Sequence, residues 1–511
     1  MPLTSGPGRS GRPGRSARDG RPGRDGRPSR PGPPDGDGSP DRDGHAGQDG
    51  PPDRDTRAGR DEPAGQDGVA GGAGHAGRDG SPGREYDRQI LRLALPAFGA
   101  LVAEPLFLLT DTVVVGRLPA PALGALGVAS TVLSFLVGLC VFLAYGTTAA
   151  VARQIGAGET GRALRQGVDG LWLAAGVGVA IILVVWPLAP WLVQLIGAEG
   201  ELARQAVTYL RISLLGVPSM LLVLAGTGVL RGMQDTTTPL LVSVGAFLLN
   251  AGLNVLFVLG LGWGIAGSAW GTVLAQSLAA AVYLGLILVR HRAPLRPDLA
   301  GVRAAGSAGI ALVVRTACLQ LVLAIAAAAA VRMGEDQIEA HTIAARIWTL
   351  LAFALDAIAI AGQAITGRAL GAGDVAGVRG ATWRMVLWGV GSGVVLGLAV
   401  VAVRPFVPGL FDAGPAVSAH LLGPLWVVAA LQPIAGVVFV LDGVLIGAGD
   451  RRYLAWAGIW TTLAYLPAAY LVDLGGGGLV ALWLALGLWM AARLVTLSVR
   501  AYGTAWLVVG G

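Results

Sequence analysis

The sequence predicts an all-α polytopic membrane protein: twelve transmembrane helices in two six-helix lobes related by a parallel pseudo-two-fold repeat. Three observations carry the prediction. The 511 residues are 53% hydrophobic and only 14% charged, with a mean hydropathy of +0.62. Twelve apolar runs follow Arg88, each close to the ~20 residues that cross a bilayer. The two halves also match one another at a single ungapped offset of 215 residues. Such a composition excludes a soluble enzyme.

Residues 1–85 are Gly, Pro, Arg and Asp with scarcely an apolar side chain, so they cannot offset their ordering entropy and are expected to be disordered. Collagen-like triplets begin at Gly11, but the glycine period fails at Ala17 and again at Ser29, which excludes a triple helix. There is no apolar h-region, hence no expected signal peptide. The basic residues are all arginine, as in a gene of high GC content, and no nucleic-acid partner is inferred from them. Cys140 and Cys318 both lie in apolar runs and suggest neither a disulfide framework nor a metal site.

The spans fall at approximately 90–116, 123–150, 168–192, 204–230, 239–261, 266–289, 305–331, 339–366, 383–405, 417–446, 454–473 and 477–500. Arginine is concentrated before span 1 and after the even-numbered spans, as at Arg153, Arg162, Arg231, Arg290, Arg368, Arg451 and Arg493. The positive-inside rule therefore puts both termini in the cytoplasm of a bacterial plasma membrane.

The internal repeat pairs the stretch Arg153–Glu159 with Arg368–Asp374, Pro218 with Pro433, the stretch Gly228–Gly232 with Gly443–Gly447, and Asp235 with Asp450. Six spans per half, an even number, make the repeat parallel. The expected lobes are 86–289 and 305–503, joined by a basic cytoplasmic linker at 290–304. Two such lobes around a central cavity suit rocking-type alternating access.

Span 1 carries Glu104 and Asp111 within LRLALPAFGALVAEPLFLLTDTVVVG. Seven residues are roughly two helical turns, so both acids lie on one face. An ionised Asp at the bilayer centre costs about 2.5–3.5 kcal/mol, which turns such groups towards a bundle interior and marks them as functional by default. A structural role with a buried partner is the alternative. Pro105 is expected to kink the span. Span 5 adds Asn250 and Asn254, one turn apart on one face, either as interhelical hydrogen-bonding glue or as part of a substrate or proton relay.

At the offset of 215, Glu104 and Asp111 fall on Leu319 and Ala326, so the lobes are chemically unequal and the first is the expected ion-coupling lobe. In the second half Gln320 and Gln363 are substrate or relay candidates, and Arg315 with Asp356 is the expected buried ion pair. Asp442 reads as a helix-terminal structural residue and His341 as solvated. Trp186, Trp191 and Trp263 read as interface anchors.

FLLTDTVVVGRL, ARQIGAGE and GVLRGMQDTTTP resemble the multidrug and toxic compound extrusion (MATE) family. LVVRTACLQL, FALDAIA and LDGVLIGAGD are similar to its DNA-damage-inducible F-like subfamily. The resemblance covers about 86–503. It implies antiport of organic, often cationic and amphipathic, compounds out of the cytoplasm by a monomer that needs the bilayer, with no cofactor and no resident metal.

On that resemblance the span-1 acid of the family is Asp111, and the Asn–Asp pair of span 5 falls on Asn250 and Asn254. Asn254 has lost the titrating carboxylate, and a subfamily Glu falls on Gln363. Protons are the expected coupling ion, with Na⁺ the alternative, since one carboxylate pair with amides is a thin oxygen cage. A lipid-linked precursor flippase of the same architecture is the rival. The sequence holds no nucleophile–base set or phosphate loop that would suggest an enzyme.

Overall fold

A computed structural model of the chain describes residues 82–510, apart from the side chains of Pro82 and Glu104. The tail expected over 1–85 therefore lies almost entirely outside the described residues, as does the Glu104 carboxylate.

Twelve helical rods follow one another. They are α1 Gly83–Val115, α2 Ala122–Gly156, α3 Thr160–Leu195, α4 Gly200–Gly232, α5 Thr237–Gly260, α6 Gly264–Arg290, α7 Leu299–Met333, α8 Glu335–Gly371, α9 Val375–Leu410, α10 Pro415–Gly447, α11 Arg451–Gly475 and α12 Gly478–Tyr502. By length and composition, eleven of them are long and apolar enough to cross a membrane. The exception is α11, whose first four turns hold Tyr453, Trp456, Trp460, Thr461, Thr462 and Tyr465 in place of aliphatic side chains. Most rods outrun the apolar runs of the sequence, because a helix continues past the hydrocarbon as long as its backbone is hydrogen-bonded. Asp298, for instance, starts α7 inside the expected linker by accepting a hydrogen bond from the Ala300 N–H at 3.0 Å.

Element boundaries repeat with the sequence. α3 and α9 start at 160 and 375, and α4 and α10 end at 232 and 447, the same offset of 215. α4 packs against α2, α3 and α6, and α10 against α8, α9 and α12, so each is the centre of its own six-helix set. Proline is housed inside both, at Pro218 and Pro433.

The two sets meet chiefly through α1, α2 and α3 against α7 and α8. At the end bearing Arg153 and Arg368, here called the arginine end, the seam is two-fold symmetric. A Cβ on Gly156 would collide with the Arg368 carbonyl, and a Cβ on Gly371 with the Arg153 carbonyl. The backbones of α2 and α8 thus touch, and only glycine permits it. Each arginine then crosses to the other set. Arg153 donates to the Ala448 carbonyl at 2.9 Å, and Arg368 donates to Gln234 Oε1 at 2.6 Å. The C-terminal stretch lies over this crossing, with the Gly510 N–H bonded to the Leu370 carbonyl at 3.2 Å. The bundle is closed at the arginine end.

Candidate functional site

Asp111 is 2% exposed, although it sits in an otherwise apolar stretch of α1. The side chains that receive it come from α4, α5 and α6. Asn254 Nδ2 donates to Asp111 Oδ1 and also to Asn250 Oδ1 at 3.0 Å. Asn250 Nδ2 donates to Thr272 Oγ1 at 3.1 Å, and the Thr272 hydroxyl donates to Asp111 Oδ2 at 3.4 Å. Tyr209 of α4 lies beside the carboxyl with Ser213 and Ser268 as neighbours. Gly271 brings α6 close, since a Cβ there would stand 3.4 Å from the Asn254 nitrogen.

The arrangement is a closed ring: Asp111, Asn254, Asn250 and Thr272. Asn250 and Asn254 are fully buried, and their spacing of four residues aims both amides at one point. An ionised Asp111 has two donors here. A protonated Asp111 has one O–H to give, and the Thr272 hydroxyl can turn from donor to acceptor to take it. Asn254 Oδ1 is buried and has no partner, an acceptor to spare inside the ring. Asn254 therefore keeps a role in holding Asp111 even though it cannot titrate.

The second set of helices holds a different cluster, and the expected pairing there is corrected. Arg315 of α7 bonds Asp442 of α10, not Asp356. Arg493 of α12 reaches the same Asp442 Oδ2 at 3.1 Å. Asp442 is buried between two guanidinium groups, so it is no mere helix-terminal residue. The physical reason is packing: α7, α10 and α12 pack together around Asp442, which only the fold brings within reach of both arginines. Asp356 instead accepts a 3.5 Å hydrogen bond from the Tyr145 hydroxyl of α2, across the seam. Arg231, expected in a loop, is buried on α4 within Coulombic reach of Asp356 and Tyr145.

The remaining candidates separate. Gln320 lies on the seam, where its Nε2 would stand 3.2 Å from a Cβ placed on Gly138 of α2. Gln363 is 1% exposed where α8 packs on Gly447 of α10, a packing position and not a cavity one. His341, expected to be solvated, is 6% exposed and stacks obliquely on Trp483 with centroids 5.7 Å apart. Thr272 and Tyr209 were not foreseen, because one hydroxyl in an apolar run carries no periodic signal. Arg493 was misplaced because it lies close to a basic end in sequence. Of the three tryptophans read as interface anchors, Trp191 and Trp263 are exposed and Trp186 is half-buried against the core. Among the described residues, no group of three or more His, Cys, Asp and Glu could hold a metal ion.

Fold and site define a two-lobed α-helical membrane protein with a carboxylate ring in one lobe and a charge network in the other. The chain belongs to the MatE family, whose model matches residues 96–256 and again 311–471. Those two matches start 215 residues apart, the offset of the internal repeat. The chain is 32% identical to the chloroplastic protein DETOXIFICATION 44 of Arabidopsis thaliana, covering 80% of each chain. It is 31% identical to DNA damage-inducible protein F of Escherichia coli, covering 81% of this chain and 91% of that one. An outward-facing multidrug resistance MATE family transporter of the MOP superfamily matches the fold with a TM-score of 0.75 at 24% identity, over 83% of this chain and 96% of the other.

Proposed function

We propose that the protein is a secondary active antiporter that exports organic, often cationic and amphipathic, compounds in exchange for protons. The observation that carries this reading is the buried Asp111 ring, which offers hydrogen-bond partners to both protonation states. Proton binding at Asp111 removes a charge from an apolar site, while its loss leaves a carboxylate that needs its two donors. A ligand or proton that differs in affinity for two conformations shifts their populations by that difference. Substrate and proton thus compete through the conformation of the first lobe.

The lobes at 86–289 and 305–503 rock about the seam, with 290–304 as the linker. The arginine end faces the cytoplasm of a bacterium, and both termini lie on that side. The protein works as a monomer in the plasma membrane, carries no cofactor and catalyses no covalent chemistry. Na⁺ is the less favoured coupling ion, since a single described carboxylate stands in the ring.

The test is efflux of a fluorescent organic compound from everted vesicles under an imposed proton or sodium gradient. Flux driven by ΔpH in the wild type and lost in Asp111→Asn supports the reading. Equal flux in both proteins removes Asp111 as the coupling site. A lipid-linked precursor flippase remains the second reading, favoured by one observation: Arg231, Arg315 and Arg493 all lie inside the bundle. Gradient-independent flipping of a polyprenyl pyrophosphate would bring it to the front.

A further inference from the structure

A groove of about 630 Å³ runs along the outside of the bundle between α1, α8 and α9. Its floor is small and tightly packed, with Ala94 of α1 and Ala357 of α8 both buried. Its rims are apolar and open, with Leu95 of α1 70% exposed and Val395 of α9 65% exposed. Gly391 of α9 keeps the middle clear, since a Cβ there would meet nothing within 4 Å. The lining runs from Ile90 to Phe98 on α1 and from Arg384 to Leu396 on α9. At 1.5 Å per residue these stretches are about 12 and 18 Å long. One leaflet of a bilayer whose hydrocarbon core is about 30 Å thick has the same depth.

The mouth of the groove, at the arginine end, is polar. Arg384 lines it with its side chain 39% exposed. That guanidinium holds Asp87 of α1 through two hydrogen bonds of 2.6 and 2.5 Å, and Trp388 donates its indole N–H to the same carboxylate at 2.8 Å. A guanidinium has five N–H donors, so Arg384 keeps donors to give after both bonds are made. Arg88 stands three residues before Leu91 and seven before Leu95, and Arg84 seven before Leu91, so both arginines lie on the face of α1 that carries the groove rim. Both are exposed. The described acids nearby are Asp87, held as above, and Glu85, which falls on the next stripe of α1 with Arg92. An indole at the end of an apolar groove marks the depth of the headgroups.

α1, α8 and α9 are each long and apolar enough to cross a membrane, so what meets the groove is lipid. An empty groove would forfeit dispersion contacts along both rims, and water finds no partners on such walls. A hydrocarbon chain one leaflet long fills it, and the polar end of that chain then reaches the arginines. Phosphate oxygens accept charge-assisted hydrogen bonds from guanidinium groups, and basic pockets between membrane helices take anionic headgroups. A zwitterionic lipid offers the same chain, but its own ammonium group opposes the three arginines.

We infer that the groove between α1, α8 and α9 is a site for one anionic phospholipid, with an acyl chain along Ala94 and Gly391 and its phosphate on Arg84, Arg88 and Arg384. The site goes beyond the transporter reading, because it concerns the membrane around the protein and not the cargo. The lipid touches both halves of the molecule, since α1 belongs to the first six-helix set and α8 and α9 to the second.

The experiment places the purified full chain in nanodiscs with a trace of phosphatidylglycerol that carries a diazirine in its acyl chain. Photolabelled peptides are then mapped by mass spectrometry. Label should concentrate on the stretches 90–98 and 384–396. Unlabelled phosphatidylglycerol should displace it at least fivefold more effectively than phosphatidylcholine with the same chains, since each arginine near a membrane surface contributes about that factor. Arg88→Gln should lower the preference about fivefold, Arg88→Lys should keep most of it, and Arg84→Gln combined with Arg88→Gln should lower it further. Gly391→Leu puts a side chain into the open groove and should cut labelling of both stretches at an unchanged melting temperature. Equal displacement by the two lipids in the wild type, or an unchanged preference in the double variant, would overturn the anionic site. Label spread evenly over all the helices, or undiminished in Gly391→Leu, would overturn the groove as its place.

Discussion

Asp111 and Asp442 are both buried carboxylates, and their surroundings assign them opposite tasks. Asp111 is met by neutral partners, Asn254 and Thr272, so its charge can come and go. Asp442 is met by two guanidinium groups, which offer counter-charge to its carboxylate. Replacing Asp442 by Asn leaves Arg315 and Arg493 without their shared counter-charge, and removing one partner of a buried pair costs about 3–5 kcal/mol. Asp442→Asn should therefore melt several degrees lower in detergent than the wild type. Arg493→Gln should fall less, because the Arg315 pair survives. If the two variants melt alike, Asp442 does not hold both arginines. The acid in span 1 was legible in the sequence because a carboxylate in an apolar run has few alternatives. Its hydroxyl partners were not, since Thr272 and Tyr209 look like any other residues of their helices. The partner of Arg315 was also hidden: the sequence offers two acids, and helix packing chooses between them.

Among the elements, α2 and α8 determine how the lobes close. Their crossing depends on Gly156 and Gly371, where a side chain would run into the facing backbone. Gly371→Leu should hold the arginine end apart. A cysteine placed at Ala152, whose Cβ now faces Gly367 of α8, should then become reactive to a membrane-impermeant maleimide offered from that side, with flux lost although the protein still inserts. A cysteine as shielded in Gly371→Leu as in the parent would mean that this crossing is not the gate. Most helices were readable as apolar runs, and the paired RQIGAGE and RALGAGD stretches already marked equivalent ends. The inter-lobe bonds of Arg153 and Arg368 were not readable, because they end on a backbone carbonyl and on the loop residue Gln234, neither of which leaves a pattern.

At the scale of the molecule, symmetry and chemistry part company. The seam at the arginine end obeys the two-fold repeat, with Arg153 and Arg368 in equivalent roles. The interiors do not: one lobe holds the Asp111 ring, the other an arginine-rich network. In the proposed antiport, a symmetric seam joining unlike sites would let a proton in one lobe and a substrate against the other act on the same closure. The coupling free energy must be reciprocal, so substrate binding should expel the proton as surely as protonation expels substrate.

That reciprocity gives the most direct measurement. Purified protein in a weakly buffered detergent solution is mixed with a transported substrate while a pH indicator records proton release. Release of close to one proton per bound substrate, absent in Asp111→Asn although the variant still binds, is the predicted result. Substrate binding with no release in the wild type, or with the same release in Asp111→Asn, would contradict the account.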